Sequence, residues 1–146
     1  MALSCGSGSS PSDADLIAQF LEHRRDFDRV LEMLRADSPT WRVDPTWVDP
    51  QGSLSEARWE EYRHLFEKLS LERGVAREPA SGNVQFISSS WGIAIGPGGS
   101  KGIFYSEHSL ARLYPSLDLT PEELPETEFA YRRIDENWYL FVMAHN

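Results

Sequence analysis

The chain has 146 residues, enough for one domain of roughly 100–150 residues that needs no metal or disulfide to fold. Its 40% apolar and 25% charged content, with five Trp, five Tyr and seven Phe, excludes a disordered chain, because these rings supply large apolar areas to bury. The formal net charge of -9 argues against nucleic acid as a direct ligand and leaves a basic protein as a compatible partner, while the single cysteine, Cys5, excludes an internal disulfide.

In chain order, residues 1–12 read as a flexible tail, since Gly and Ser dominate after Cys5. A single domain over 13–146 follows. The first predicted helix runs from about Asp13 to Ala36, with apolar residues at Leu16, Phe20, Phe27, Val30, Leu31 and Leu34. Ser12 and Asp13 can accept from the free amides of its first turn. Residues 38–52 hold Pro39, Pro45, Pro50 and Gly52 around Trp41 and Trp47, which predicts an ordered crossing loop pinned by the indoles. The second predicted helix runs from about Ser55 to Arg73, with Trp59, Tyr62, Leu65, Phe66 and Leu69 as its apolar stripe. Ser53-x-x-Glu56 forms a capping box, and Ser55 is the alternative cap. Gly74 suits a left-handed C-terminal cap.

After Gly74 the rhythm becomes alternating. Val84, Phe86 and Ser88 share one side of a strand, and Trp91, Ile93 and Ile95 alternate with Gly92 and Ala94. Gly96-Pro97-Gly98-Gly99-Ser100 reads as a turn and 103–105 as a strand; residues 107–127 read as a long loop. Residues 129–134 and 138–142 form a hairpin around Asp135-Glu136-Asn137. The predicted fold class is α+β, with two N-terminal helices packed on one face of an antiparallel sheet of about five strands.

Three stretches carry a resemblance. They are Arg58-Trp59-x-x-Tyr62-Arg63-x-Leu65-Phe66-x-Lys68-Leu69 with Gly74, then 100–106, then Tyr131-Arg132-x-Ile134-x-x-Asn137-Trp138-Tyr139-Leu140. Together they resemble a group of small uncharacterised bacterial proteins, often predicted lipoproteins, that carries no assigned activity. Leu3-Ser4-Cys5-Gly6 likewise resembles the end of a bacterial lipoprotein signal. The two resemblances imply a bacterial chain with Cys5 lipidated and the domain facing the cell envelope or periplasm; without the lipid the expected location is cytoplasmic.

No coherent catalytic set emerges. Lys101 in the glycine-rich stretch 96–102 could join a loop anion site, but Ser precedes the Lys and a strand follows, so an exposed turn is the better reading. His23, His64, His108 and His145 show no metal-ligand spacing; Glu61-x-x-His64 lacks a second copy, and Glu60 with His64 reads as a surface pair. Ser88, Ser89 and Ser90 lack a nucleophile elbow. Arg132 and Arg133 point to opposite faces of their strand, so one of them meets an acid from the first helix or a ligand. No cofactor or metal is expected. The favoured function is non-catalytic binding or interaction. One alternative is a small-molecule-binding protein or enzyme with a pocket between helices and curved sheet, for which Lys101, Trp91 and His64 are the ligand-binding candidates. The other is an inhibitor or immunity protein that masks a basic partner with Asp118, Glu122, Glu123, Glu126 and Glu128.

Overall fold

The structure, a computed structural model, describes residues 10–92, 98–111, 113–118 and 128–145. It is α+β, with three helices and one antiparallel seven-stranded sheet among those residues. The helices are α1 (Asp13–Glu22), α2 (Arg24–Ala36) and α3 (Glu56–Leu69). The strands are β1 (Arg42–Val43), β2 (Val48–Asp49), β3 (Val75–Arg77), β4 (Val84–Gly92), β5 (Gly98–Tyr105), β6 (Glu128–Asp135) and β7 (Trp138–His145). Their order across the sheet is β2-β1-β3-β4-β5-β7-β6. No helix among the described residues is long and apolar enough to cross a membrane.

The helices differ in number from the two expected. The first breaks at His23, which carries neither helical nor left-handed backbone angles, φ -118° and ψ 29°. No Gly or Pro marks the break. Its apolar stripe lapses between Phe20 and Phe27, where Arg24 instead lies over the rings of Phe20 and Trp138 and pairs with Asp135 at 2.8 Å. The bend keeps Phe20 and Phe27 both against Trp138, with ring centroids 5.0 and 6.1 Å away. Ser12 caps α1 and Ser55 caps α3, each accepting from a first-turn amide at 3.1 Å.

The sheet also exceeds the expected five strands. The proline-rich crossing contains β1 and β2, paired Arg42 with Asp49 and Val43 with Val48. Val75–Arg77 joins them to β4. Gly98, Gly99 and Ser100 belong to β5 rather than to a turn. The hairpin at 135–138 is as predicted, with Asn137 at φ 66°. Gly74 does not cap α3, because Ser70 takes that position at φ 56°. Gly74 (φ 72°) instead lets β1 approach, since a Cβ there would run into the Val43 carbonyl oxygen.

A bulge between Ile87 and Ser89 changes the parity of β4. Val84 and Phe86 face the helices before it, and Ser89 and Trp91, opposite Lys101 and Gly99, face them after it. Ser88 is the extra residue of the bulge and has no partner on β5. The core between helices and sheet is filled by Phe20, Phe27, Phe86, Ile103, Trp138 and Leu140, with Tyr62, Phe66 and Leu69 from α3. The reverse face is apolar too: Ile87, Phe104, Tyr139 and Phe141 are buried there, and Phe129 stacks on Tyr131 at 5.8 Å. Gly74→Ala should cost about 3 kcal/mol or more, combining backbone strain with displacement of β1, whereas Gly52→Ala, at φ 77° in open space, should cost only about 1 kcal/mol. Urea denaturation measures both, and equal losses would contradict the close approach of β1.

Candidate functional site

Lys101 is buried on β5 and not displayed on a turn. Its Nζ meets Asp13 Oδ1 at 2.9 Å, and Asp118 Oδ1 and the Leu117 carbonyl at 3.3 Å each. Three acceptors match the three protons of an ammonium group, so Lys101 has nothing left for an anion. Arg132 Nη1 meets Asp13 Oδ2 at 2.9 Å, and the Leu117 amide donates to the same oxygen at 2.7 Å. Arg132 is thus the inward arginine, and its acid comes from α1. Burial alone would raise the Asp13 pKa, but the hydrogen bonds from Leu117, Lys101 and Arg132 outweigh it and hold the carboxyl below its ordinary 3.8.

The three ligand-binding candidates do not converge. His64 is exposed on α3, and its expected partner Glu60 takes Arg63 at 2.8 Å. Trp91 lies half-buried across Gly99, where a side chain would collide with the indole. Lys101 is consumed as described. Of the predicted partner-facing acids, Asp118 turns one oxygen inward, accepting from the Asp13 amide at 2.9 Å as well as from Lys101. Glu122, Glu123 and Glu126 lie outside the described residues, as do Cys5 and the side chain of Glu128, which begins β6.

Two adjoining clefts run along α2 and share Arg35 and Tyr105. The smaller, about 300 Å³, is bounded by Arg35, Arg77, Ser81, Asn83, Tyr105 and Glu107. The larger, about 500 Å³, continues past Asp28 and Glu32 to the β6–β7 turn. Tyr105 donates to Glu107 at 2.7 Å, and Arg35 reaches the same carboxylate at 3.4 Å. Burial, and next the bond to Glu107, push the Tyr105 hydroxyl above its ordinary pKa.

Arg77, like Arg25 and Arg133, forms no carboxylate pair among the described residues. Arg24, Arg29, Arg35, Arg58 and Arg63 all pair with carboxylates. Arg77 has no carboxylate within 4.0 Å among the described residues. Its Nη2 donates to the Thr40 carbonyl at 3.3 Å, but its Nε is buried without a partner. Asn83 Oδ1, lining the same cleft, is also buried without one. Arg24 Nε and Ser89 Oγ are buried without a hydrogen-bond partner as well. A proline-bounded strand end and a Ser-Gly-Asn turn gave no sequence signal for this site. An arginine at the end of a three-residue strand is legible only once its missing partner is seen.

Among the described residues no group of three His, Cys, Asp or Glu side chains could hold a metal ion. The groove beside Ser88 and Ser89 is lined by Asp15, Gln19 and Glu72 without a described histidine. Comparison of the chain with protein-family models, with curated proteins and with solved structures finds no match.

Asp13→Asn should cost about 3 kcal/mol at neutral pH, because it strips Lys101 of its closest charge partner inside the fold. The folded carboxyl is more acidic than the unfolded one, so the unfolded chain binds the extra proton as pH falls. The stabilisation is therefore complete above the unfolded value of about 4 and is lost as pH drops through the lower folded value. Urea midpoints of the unsubstituted and Asp13→Asn chains should converge below about pH 4. A gap that persists undiminished to about pH 2 would contradict the assignment.

Proposed function

We propose that this is a non-catalytic binding protein of the bacterial envelope, carried on a lipid at Cys5, whose ligand occupies the cleft between the C-terminal end of α2 and the β3–β4 turn. The observation that carries the binding reading is the polar cleft of about 300 Å³ lined by Arg35, Arg77, Asn83, Tyr105 and Glu107. Small ligands are held in concave sites by a few convergent polar groups of this kind. The non-catalytic reading draws support from the histidines. His23 pairs with Asp26 at 3.4 Å, His64 faces outward, and His108 approaches the Ser81 carbonyl at 3.4 Å. None of these three is placed to activate a described nucleophile. The lipid reading rests on Leu3-Ser4-Cys5-Gly6 and on the tether-like run of Gly and Ser that leads to Ser12.

Titrating the ¹⁵N-labelled protein with a library of small polar fragments tests the cleft. Shift changes should gather at Arg35, Arg77, Asn83 and Tyr105, and should vanish in Arg77→Met. Hits confined to other surfaces, or hits indifferent to that substitution, would sink the binding reading. Expression from the native upstream coding region in a bacterium fed an alkyne fatty acid tests the anchor. Label should enter the chain and disappear in Cys5→Ala; an unlabelled chain would remove the envelope assignment.

A further inference from the structure

Beyond Ser88, strand β4 has a neighbour on one side only. β3 pairs with Val84–Phe86. The residues before β3 extend that track by three bonds. The Ile87 amide donates to the Gly74 carbonyl, Arg73 donates to the Ile87 carbonyl, and Glu72 donates to the Ser88 carbonyl at 3.4 Å. Before that point the chain belongs to α3 and its left-handed cap, Ser70 at φ 56°. Ser89–Gly92 therefore pairs with β5 and, among the described residues, with nothing along its opposite edge. Alternate residues of an antiparallel strand aim their N–H and C=O groups away from the paired neighbour, so this edge offers donors and acceptors to one more strand.

A groove lies beside that edge. It holds about 480 Å³ between Ser88 and Ser89 of β4 and Asp15 and Gln19 of α1. Through Ser70, Glu72 and Ser88 it joins a second groove of about 580 Å³ along Phe66 and Glu67 of α3. Asp15, Glu67 and Glu72 are exposed here, and none of them takes a Lys, Arg or His among the described residues. Arg63, the one cation lining the two grooves, is already held by Glu56 and Glu60. An extended backbone meets the needs of the edge, and Lys or Arg side chains meet those of the acids. A second copy of this chain would set the same acids against their own counterparts, so like charge opposes it.

We infer that β4 accepts a basic, extended peptide segment of a partner protein, added as a strand along Ser89–Gly92 with its Lys or Arg side chains on Asp15, Glu67 and Glu72. This surface shares no lining residue with the cleft beside α2 and adds a protein partner to the ligand proposed there.

Fluorescence anisotropy with a labelled peptide of alternating Lys and Thr tests it, read together with amide shifts of the ¹⁵N-labelled protein. The peptide should bind, with shift changes gathering at Ser89–Gly92 and Asp15. A peptide of alternating Glu and Thr should bind about tenfold or more weakly, and Glu72→Lys should weaken the Lys–Thr peptide about tenfold. Glu67→Lys serves if Glu72→Lys does not fold. The Lys–Thr peptide N-methylated throughout its backbone keeps the charge and loses every amide donor, so it too should bind about tenfold or more weakly. An N-methylated peptide that binds as tightly as its parent would mean attraction by charge alone and would overturn strand addition. No binding, or shifts confined to other surfaces, would overturn it as well. Concentration-dependent dimerisation of the protein alone through Ser89–Gly92 would make a second copy the occupant and overturn the basic-peptide assignment.

Discussion

One carboxylate fixes how the helices sit on the sheet. Asp13 opens α1, and its two oxygens are divided between Lys101 of β5 and Arg132 of β6, with the Leu117 amide on the second. Asp13 and Arg132 are 119 residues apart in sequence. A buried ion pair adds little net stability, because desolvation offsets most of its attraction. What it does impose is selectivity of arrangement: any other seating of α1 leaves a charge buried and unpaired, at several kcal/mol. The apolar stripe of α1 could slide on a greasy surface, but the Asp13 corner cannot. The position of α1 sets that of α2 across the His23 bend, and α2 forms one wall of both clefts.

The same device recurs. Asp44, fully buried, meets Arg73 at 3.0 Å and Arg42 at 3.4 Å and accepts from Thr46. Asp37 accepts from Tyr62 at 2.7 Å and Arg58 at 2.8 Å. Asp37 thereby joins α2 to α3, which no backbone ladder links, and Asp44 braces the β1–β3 pairing. Arg77 and Asn83 line the cleft beside α2 without such an ion pair. Arg77 instead gives its Nη2 to the Thr40 carbonyl at 3.3 Å, tying the end of β3 to the crossing before β1.

Much of the architecture was legible because it follows from periodicity. The change of rhythm after Gly74 separates helices from sheet, Ser12 marks the start of α1, and Asp135-Glu136-Asn137 marks the hairpin. The parts that were not legible depend on tertiary partners. Nothing in residues 20–27 announces the bend at His23, which answers to Trp138. The alternation of β4 hides a bulge, since Ser88, Ser89 and Ser90 are alike and either parity reads as polar. Tyr139 and Phe141 line a second apolar face, which the expectation of helices on one face of the sheet did not include. The misplacement of Lys101 is the most instructive. Glycine-rich surroundings imply a turn, yet Gly102 is needed because a Cβ there would strike the Phe86 carbonyl, so these glycines serve close strand packing. The cleft was hidden for a related reason: an unpaired atom has no sequence signature, only the absence of a partner in space.

Native-state hydrogen exchange at the Leu117 amide addresses the Asp13 corner most directly. This amide sits in a segment without regular structure and owes its protection to Asp13 Oδ2 alone. It should exchange as slowly as the amides of β5 at neutral pH and become fast in Asp13→Ala, which removes the acceptor, while the β4–β5 ladder stays protected. Rapid exchange at Leu117 in the unsubstituted protein would mean that the corner does not form and that α1 is held by its apolar stripe alone.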